Sequence, residues 1–155
     1  MRPFRALGLT TVGAIAGFAA AGVLMRRAFP SVGDQASDEV ALVAIFNGIE
    51  LKSHASAFRG GSMFSWFGGI AVDLREAELA PDARLRVTTT FGGIAIRLPA
   101  GTKVESNASV LAGGIEIDAP KPETDDEPRL VLDGVALLGG IAVKADKPDA
   151  AEPAA

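Results

Sequence analysis

From residue 40 to residue 145 the chain alternates apolar and polar positions in short runs, and five of those runs are nearly the same: FNGIELK (46–52), FGGIAVD (67–73), FGGIAIR (91–97), AGGIEID (112–118) and LGGIAVK (138–144). Their central isoleucines fall at 49, 70, 94, 115 and 141, at intervals of 21, 24, 21 and 26 residues. Residues two apart share a face of a β-strand, so Ile49/Leu51, Ile70/Val72, Ile94/Ile96, Ile115/Ile117 and Ile141/Val143 point the same way in their runs. A single strand cannot bury such a face, but a strand stacked on copies of itself can. The pattern predicts an all-β, single-domain, β-solenoid-like stack of parallel rungs in sequence order, with the five isoleucines aligned inside.

The outward positions support parallel stacking. Three residues after each isoleucine stand Lys52, Asp73, Arg97, Asp118 and Lys144, whose signs alternate along the sequence. With strands ~4.8 Å apart, a stack in sequence order gives every charge an opposite neighbour. An antiparallel meander would separate these residues.

The glycine pairs read as structural turn residues: Gly48, Gly68, Gly69, Gly92, Gly93, Gly113, Gly114, Gly139 and Gly140. They precede the strands, where each coil must turn a corner; glycine reaches positive φ without steric cost and lets backbones approach closely. Asn47 takes the first place in the first run, and asparagine also tolerates the left-handed region. The expectation is a positive φ at that first place. A phosphate cradle needs glycines that open a helix, whereas these open strands.

Beyond the repeat lie two flanks. Residues 6–25, ALGLTTVGAIAGFAAAGVLM, contain no charge. Twenty residues make about 30 Å of helix, enough to span a hydrocarbon core, and longer than the apolar region of a cleaved signal peptide. The chain is therefore expected to be a single-pass protein of the cell membrane, with an uncleaved anchor over 1–27. Arg2 and Arg5 on one side balance Arg26 and Arg27 on the other, so orientation stays open. Gly13 and Gly17 form a GxxxG pair that could bring two anchors together as a homodimer. Residues 28–39 read as a linker, 40–145 as the β-domain and 146–155 as a disordered tail rich in Pro, Ala and acid.

Charge and missing chemistry narrow the function. Four of the 15 Lys/Arg precede residue 28, leaving 11 basic residues against 19 acidic ones. Such a balance excludes a nucleic-acid partner, because phosphate binding needs clustered cations. There is no cysteine, no tyrosine and one histidine, His54, in a polar stretch without a nucleophile elbow. The acidic run KPETDDEP (121–128), with Glu123, Asp125, Asp126 and Glu127, matches no EF-hand spacing and reads as a solvated loop. No catalytic, cofactor-binding or metal-binding residues are assigned, no cofactor is expected, and the chain reads as a non-enzyme. The candidate partner contact is the aromatic stretch with Met63, Phe64 and Trp66, placed at a solenoid end; Trp66 is exposed there if Phe67 faces the core.

The stretch AVDLREAELAPDARLRVTTTFGGIAIRLPAGTKVESNASVLAGGIEI resembles the C-terminal domain of LiaF-like proteins, the cell-wall-active antibiotics response family. The matching positions are Asp73, Leu74, Ala77, Leu79, Phe91 to Gly93, Ile96, Leu98, Pro99, Val104, Leu111, Gly113 and Gly114. The resemblance implies a bacterial envelope protein whose β-domain takes part in cell-wall stress regulation, with a sensor kinase or another envelope protein as partner. Regulatory members carry several membrane spans where this chain has one, and Thr102 stands where a tryptophan often follows the turn glycine. The expected function is a membrane-anchored, non-catalytic regulatory or protein-interaction module. The alternative is a bactofilin-like scaffold that polymerises rung upon rung through its edges.

Overall fold

A computed structural model of the chain describes residues 30–146, together with Leu24, Arg27 and Ala28. The anchor expected at 6–25 falls outside the described residues except for Leu24. Gly13, Gly17 and residues 147–155 of the expected tail fall outside them too. Among the described residues, no helix is long and apolar enough to cross a membrane.

Seven strands form one parallel sheet: β1 (Glu39–Ile45), β2 (Gly48–Lys52), β3 (Phe58–Trp66), β4 (Gly68–Asp73), β5 (Leu79–Leu98), β6 (Val104–Asp118) and β7 (Leu130–Ala145). β1 with β2, and β3 with β4, are the two arms of one rung each, parted by a corner; β5, β6 and β7 run through the corner unbroken. The fold is all-β and solenoid-like. The isoleucines align in register, Ile49 beside Ile70, then Ile94, Ile141 and Ile115. The three central ones are at most 2% exposed, whereas Ile49 and Ile115, on terminal rungs, are half-buried. Leu85, Leu132, Phe58 and Leu74 complete the core between the arms.

The rungs do not stack in sequence order. β7 lies between β5 and β6, which places the fourth rung of the sequence at the end of the stack. The outward column therefore reads Lys52, Asp73, Arg97, Lys144, Asp118, so the expected alternation fails where Arg97 meets Lys144. Burial explains the order. β7 offers Leu130, Leu132, Ala136, Ile141 and Val143 to the interior, where they are almost fully buried. β6 is the more polar strand, carrying Ser106, Asn107, Glu105 and Glu116. Placing β7 inside removes more apolar area from water, at about 25 cal/mol per Å², than one column of exposed charges can offset. Polar contacts also suit this order: Asp133 of β7 lies 3.4 Å from Arg84 of β5 and accepts a hydrogen bond of 3.2 Å from Asn107 of β6.

The corner argument holds in a modified form. Gly92 and Gly113 have φ of 143° and 141°, but Asn47, Gly68 and Gly139 are not among the positive-φ residues. In the first two rungs the left-handed residue is the aromatic one before the pair, Phe46 (53°) and Phe67 (52°). The shared need is close approach. A Cβ on Gly92 would fall 1.9 Å from the Gly68 carbonyl oxygen, and one on Gly68 would fall 2.3 Å from that of Asn47. Asn47 fits because its first-rung position has no rung outside it, and its Oδ1 accepts the Ile45 N–H at 2.8 Å.

The expected linker is partly built into the domain. Val32 and Ala41 exchange two backbone hydrogen bonds of 2.7 Å, and Ser31 Oγ accepts the Val43 N–H at 3.0 Å. The Gln35 carbonyl accepts from the His54 N–H at 2.8 Å and from Ser53 Oγ at 3.2 Å. His54 is exposed, on a loop tied to the closed end of the stack.

Candidate interaction surface

Parallel, in-register stacking turns each sequence position into a column one residue wide and five rungs long. Across the corner, eight consecutive positions in every rung carry no charge: 42–49, 63–70, 87–94, 134–141 and 108–115. These columns form one continuous band from rung to rung. It holds Phe46, Phe64, Phe67, Phe91, Val110, Leu111, Val135, Leu137 and Leu138, which are nine of the eleven large hydrophobic residues exposed among those described. Exposed apolar residues are ordinary when scattered, but a contiguous set marks a contact surface.

The ridge of the band is the column just before the glycines: Phe46, Phe67, Phe91, Leu138 and Ala112. Phe46 and Phe67 stack with centroids 5.2 Å apart and planes within 9°; Phe67 and Phe91 stack at 4.5 Å and 14°. Trp66 tilts against Phe46 (5.9 Å) and Phe67 (5.7 Å). Both faces of Phe67 are thus occupied by neighbouring rings, and ring edges meet solvent. Sugars stack on exposed ring faces, so this ladder suits an apolar partner better than a carbohydrate. Phe46 and Phe67 hold a left-handed backbone that is rare for bulky residues and costs about 1–3 kcal/mol each. That backbone turns the corner in the first two rungs and holds Phe46 and Phe67 at the surface, 40% and 45% exposed.

Behind the ridge the second glycines and the small outward residues Ala71, Ala95 and Ala142 floor a shallow open groove of about 920 Å³. Glu50 and Glu116 close its two ends, because the terminal rungs carry Glu where central rungs carry Ala. Charge returns beyond the band. On the groove side Asp73 is held by Arg75 through hydrogen bonds of 2.7–3.1 Å, which lower its carboxyl to a pKa of about 2.

The aromatic stretch singled out by sequence divides in this geometry. Met63 is 1% exposed and belongs to the core, because its position alternates with Phe64, which faces out. Trp66 is partly exposed, and Phe67 does not face the core but joins the ladder. Phe64 and Trp66 lie on the lateral corner of the second rung and not at a solenoid end. Phe46, Phe91, Leu111 and Leu138 were missed as contact candidates. For Phe46, Phe91 and Leu138 the signal was present: the residue before each Asn-Gly or Gly-Gly pair is Phe, Leu or Ala, and register makes it one column; Leu111 stands one position earlier, outside that column.

The acidic loop is solvated at Glu123, Asp125 and Asp126, as expected, and is tied down at Glu127. Glu127 meets Lys103 at 2.6 Å and accepts the Glu123 N–H at 2.8 Å, while Arg129 lies 2.8 Å from Glu105. These partners hold the Glu127 carboxyl below its usual pKa, chiefly through Lys103. Among the described residues no group of three or more His, Cys, Asp or Glu is placed to hold a metal ion.

No protein-family model matches the chain, and no curated protein matches it. Among solved structures it is similar to a Clostridium sporogenes protein provisionally described as a cell-adhesion protein, at 12% identity and a TM-score of 0.37 over 64% of this chain and 56% of that one. The chain spans just over half the length of that protein.

Proposed function

We propose that the chain is a membrane-anchored, non-catalytic interaction module of the bacterial envelope, and that the uncharged corner is its contact surface. The observation that carries this reading is the band itself: five rungs of exposed Phe and Leu without a charge, on a domain that is acidic elsewhere. Anchoring by residues 6–25 would raise the effective concentration of any partner in the same membrane, so a modest contact suffices. The LiaF-like residues suggest the partner class, a membrane protein such as a stress-sensing kinase.

The test uses the full chain in its own membranes. Phe91→Glu with Leu138→Lys puts two charges in the middle of the ridge at exposed positions, opposite in sign because the two residues face each other across the strands. The expected outcome is at least a tenfold loss of co-purified membrane partner, with the unfolding midpoint little changed. Undiminished co-purification at an unchanged midpoint refutes the reading. The bactofilin-like polymer is less well supported, because continuous rung-upon-rung growth needs both arms of each end open and the β1 arm is covered by residues 31–35.

A further inference from the structure

The open end of the stack has a feature that the interaction reading does not use, the unpaired backbone edge of β6. Among the described residues, β6 is a fifteen-residue terminal strand bonded along one edge only, to β7. Its inward side chains continue the core columns but lack an outer neighbour. Val110 stands in the column of Ala44, Ser65, Thr89 and Ala136, all fully buried, yet is 36% exposed. Ile115 and Ile117 are half-buried in columns whose central members are at most 2% exposed. A long unpaired edge backed by an incomplete core invites another strand.

The sequence of that edge is complementary to itself. A twofold axis through the corner, between Ala112 and Gly113, brings a second β6 alongside in antiparallel sense. Asn107 then faces Asp118, Ala108 faces Ile117, Ser109 faces Glu116, Val110 faces Ile115 and Leu111 faces Gly114. Inward residues meet inward residues, so the half-open core closes on Ala108, Val110, Ile115 and Ile117 of the other copy. No like charges stand directly opposite, and each carboxylate faces a neutral polar group. Leu111, 80% exposed, lies over the partner's Gly114, where a Cβ meets nothing within 4 Å. A head-to-tail contact lacks these features: it sets Glu116 opposite Glu50 and requires the β1 edge, where Val32 and Ser31 already bond Ala41 and Val43.

The geometry points to a second copy of this chain as the occupant of the β6 edge, in a closed, twofold, tail-to-tail dimer paired over residues 107–118. Such a pairing is isologous and ends at two copies. It covers Val110 and Leu111, the β6 end of the uncharged band, and leaves Phe46, Phe64, Phe67, Phe91 and Leu138 of both copies on the outside, so the ridge of the proposed partner contact stays free in the dimer.

Disulfide trapping tests it in the full-length chain, which has no cysteine of its own. Ser109→Cys and Glu116→Cys are both at exposed positions. Directly opposite residues of an antiparallel pair have Cα atoms about 4.5–5.5 Å apart, within disulfide reach. Ser109 and its own twofold mate lie on the order of 15 Å apart, out of reach. Membranes containing differently tagged S109C and E116C chains together should give a mixed disulfide dimer on mild oxidation, at least tenfold above either variant alone. Val43→Cys mixed with S109C reports head-to-tail stacking and should give none. No mixed dimer from S109C with E116C, or cross-linking of V43C with S109C, overturns the proposal.

Discussion

At the β1 end, Leu42 and Ala44 are 3% and 0% exposed although no rung stacks outside them; at the β6 end, Val110, in the same column as Ala44, is 36% exposed. Both ends carry the same repeat and the same inward pattern. They differ in what covers them. Residues 31–35 fold over the β1 arm of the first rung and satisfy its edge with backbone and Ser31 bonds, while its β2 arm stays open with Ile49 half-buried; among the described residues, no backbone bond reaches the outer edge of β6 between residues 105 and 118. A repeat therefore does not by itself set the stability of a terminal rung; the cover does, because it supplies the missing neighbour for both hydrogen bonds and apolar surface.

The largest expected effect separates a closed rung from an open one by the same collision. A Cβ on Gly61 would lie 1.9 Å from the Val40 carbonyl oxygen, and one on Gly113 would lie 1.8 Å from that of Gly139. Gly61→Val should cost more than about 3 kcal/mol, because strain and overpacking add where β1 and β5 hold the rung on both sides. Gly113→Val should cost less, since β6 can swing outward, and amide exchange should rise in β6 alone. Equal losses in urea unfolding would mean that the β6 end is as constrained as a rung held on both sides.

Next is the core pair. Leu42→Ala should destabilise by about 3 kcal/mol, within the usual range for a buried leucine. Val110→Ala should cost under about 1 kcal/mol at low protein concentration, since much of its surface is already wet. If two copies pair through β6, the Val110→Ala loss should grow as concentration rises, a change that urea unfolding of the full chain over a dilution series measures.

A smaller effect probes the cover itself. Val32→Pro removes the N–H that bonds the Ala41 carbonyl and should cost about 1 kcal/mol. Amide exchange should then quicken at Ala41 and Val43 and stay unchanged in β6. Unaltered exchange at those two amides would show that residues 31–33 do not protect the end.

The smallest effect reads the rung order. In a double-mutant cycle Asp118 and Lys144 should couple by roughly 0.2–1 kcal/mol, as directly opposed cross-strand charges do. Asp118 and Arg97 should not couple measurably, because β7 separates them. The reverse result would restore stacking in sequence order.

The recurrence of Gly-Gly-Ile and the two-residue alternation were enough to read strands, inward faces, parallel sense and register, because each is a local property repeated within one run. The close approach at the corners was legible from the glycines too, though its form was not: Phe46 and Phe67 took the left-handed backbone expected of the next residue. Two clues were present but unread. Glu50 and Glu116 mark the terminal rungs, where central rungs have alanine, and the charge-free positions fall at the same places in every run. What only the tertiary structure decided is which rung lies beside which, and hence which hydrophobic residues meet to form a surface. Rung order is a competition among strands for the places with two neighbours, and the apolar β7 wins such a place over β6 through total burial. The outward charges, whose alternation favoured sequence order, are exposed and screened, so they follow that choice instead of making it.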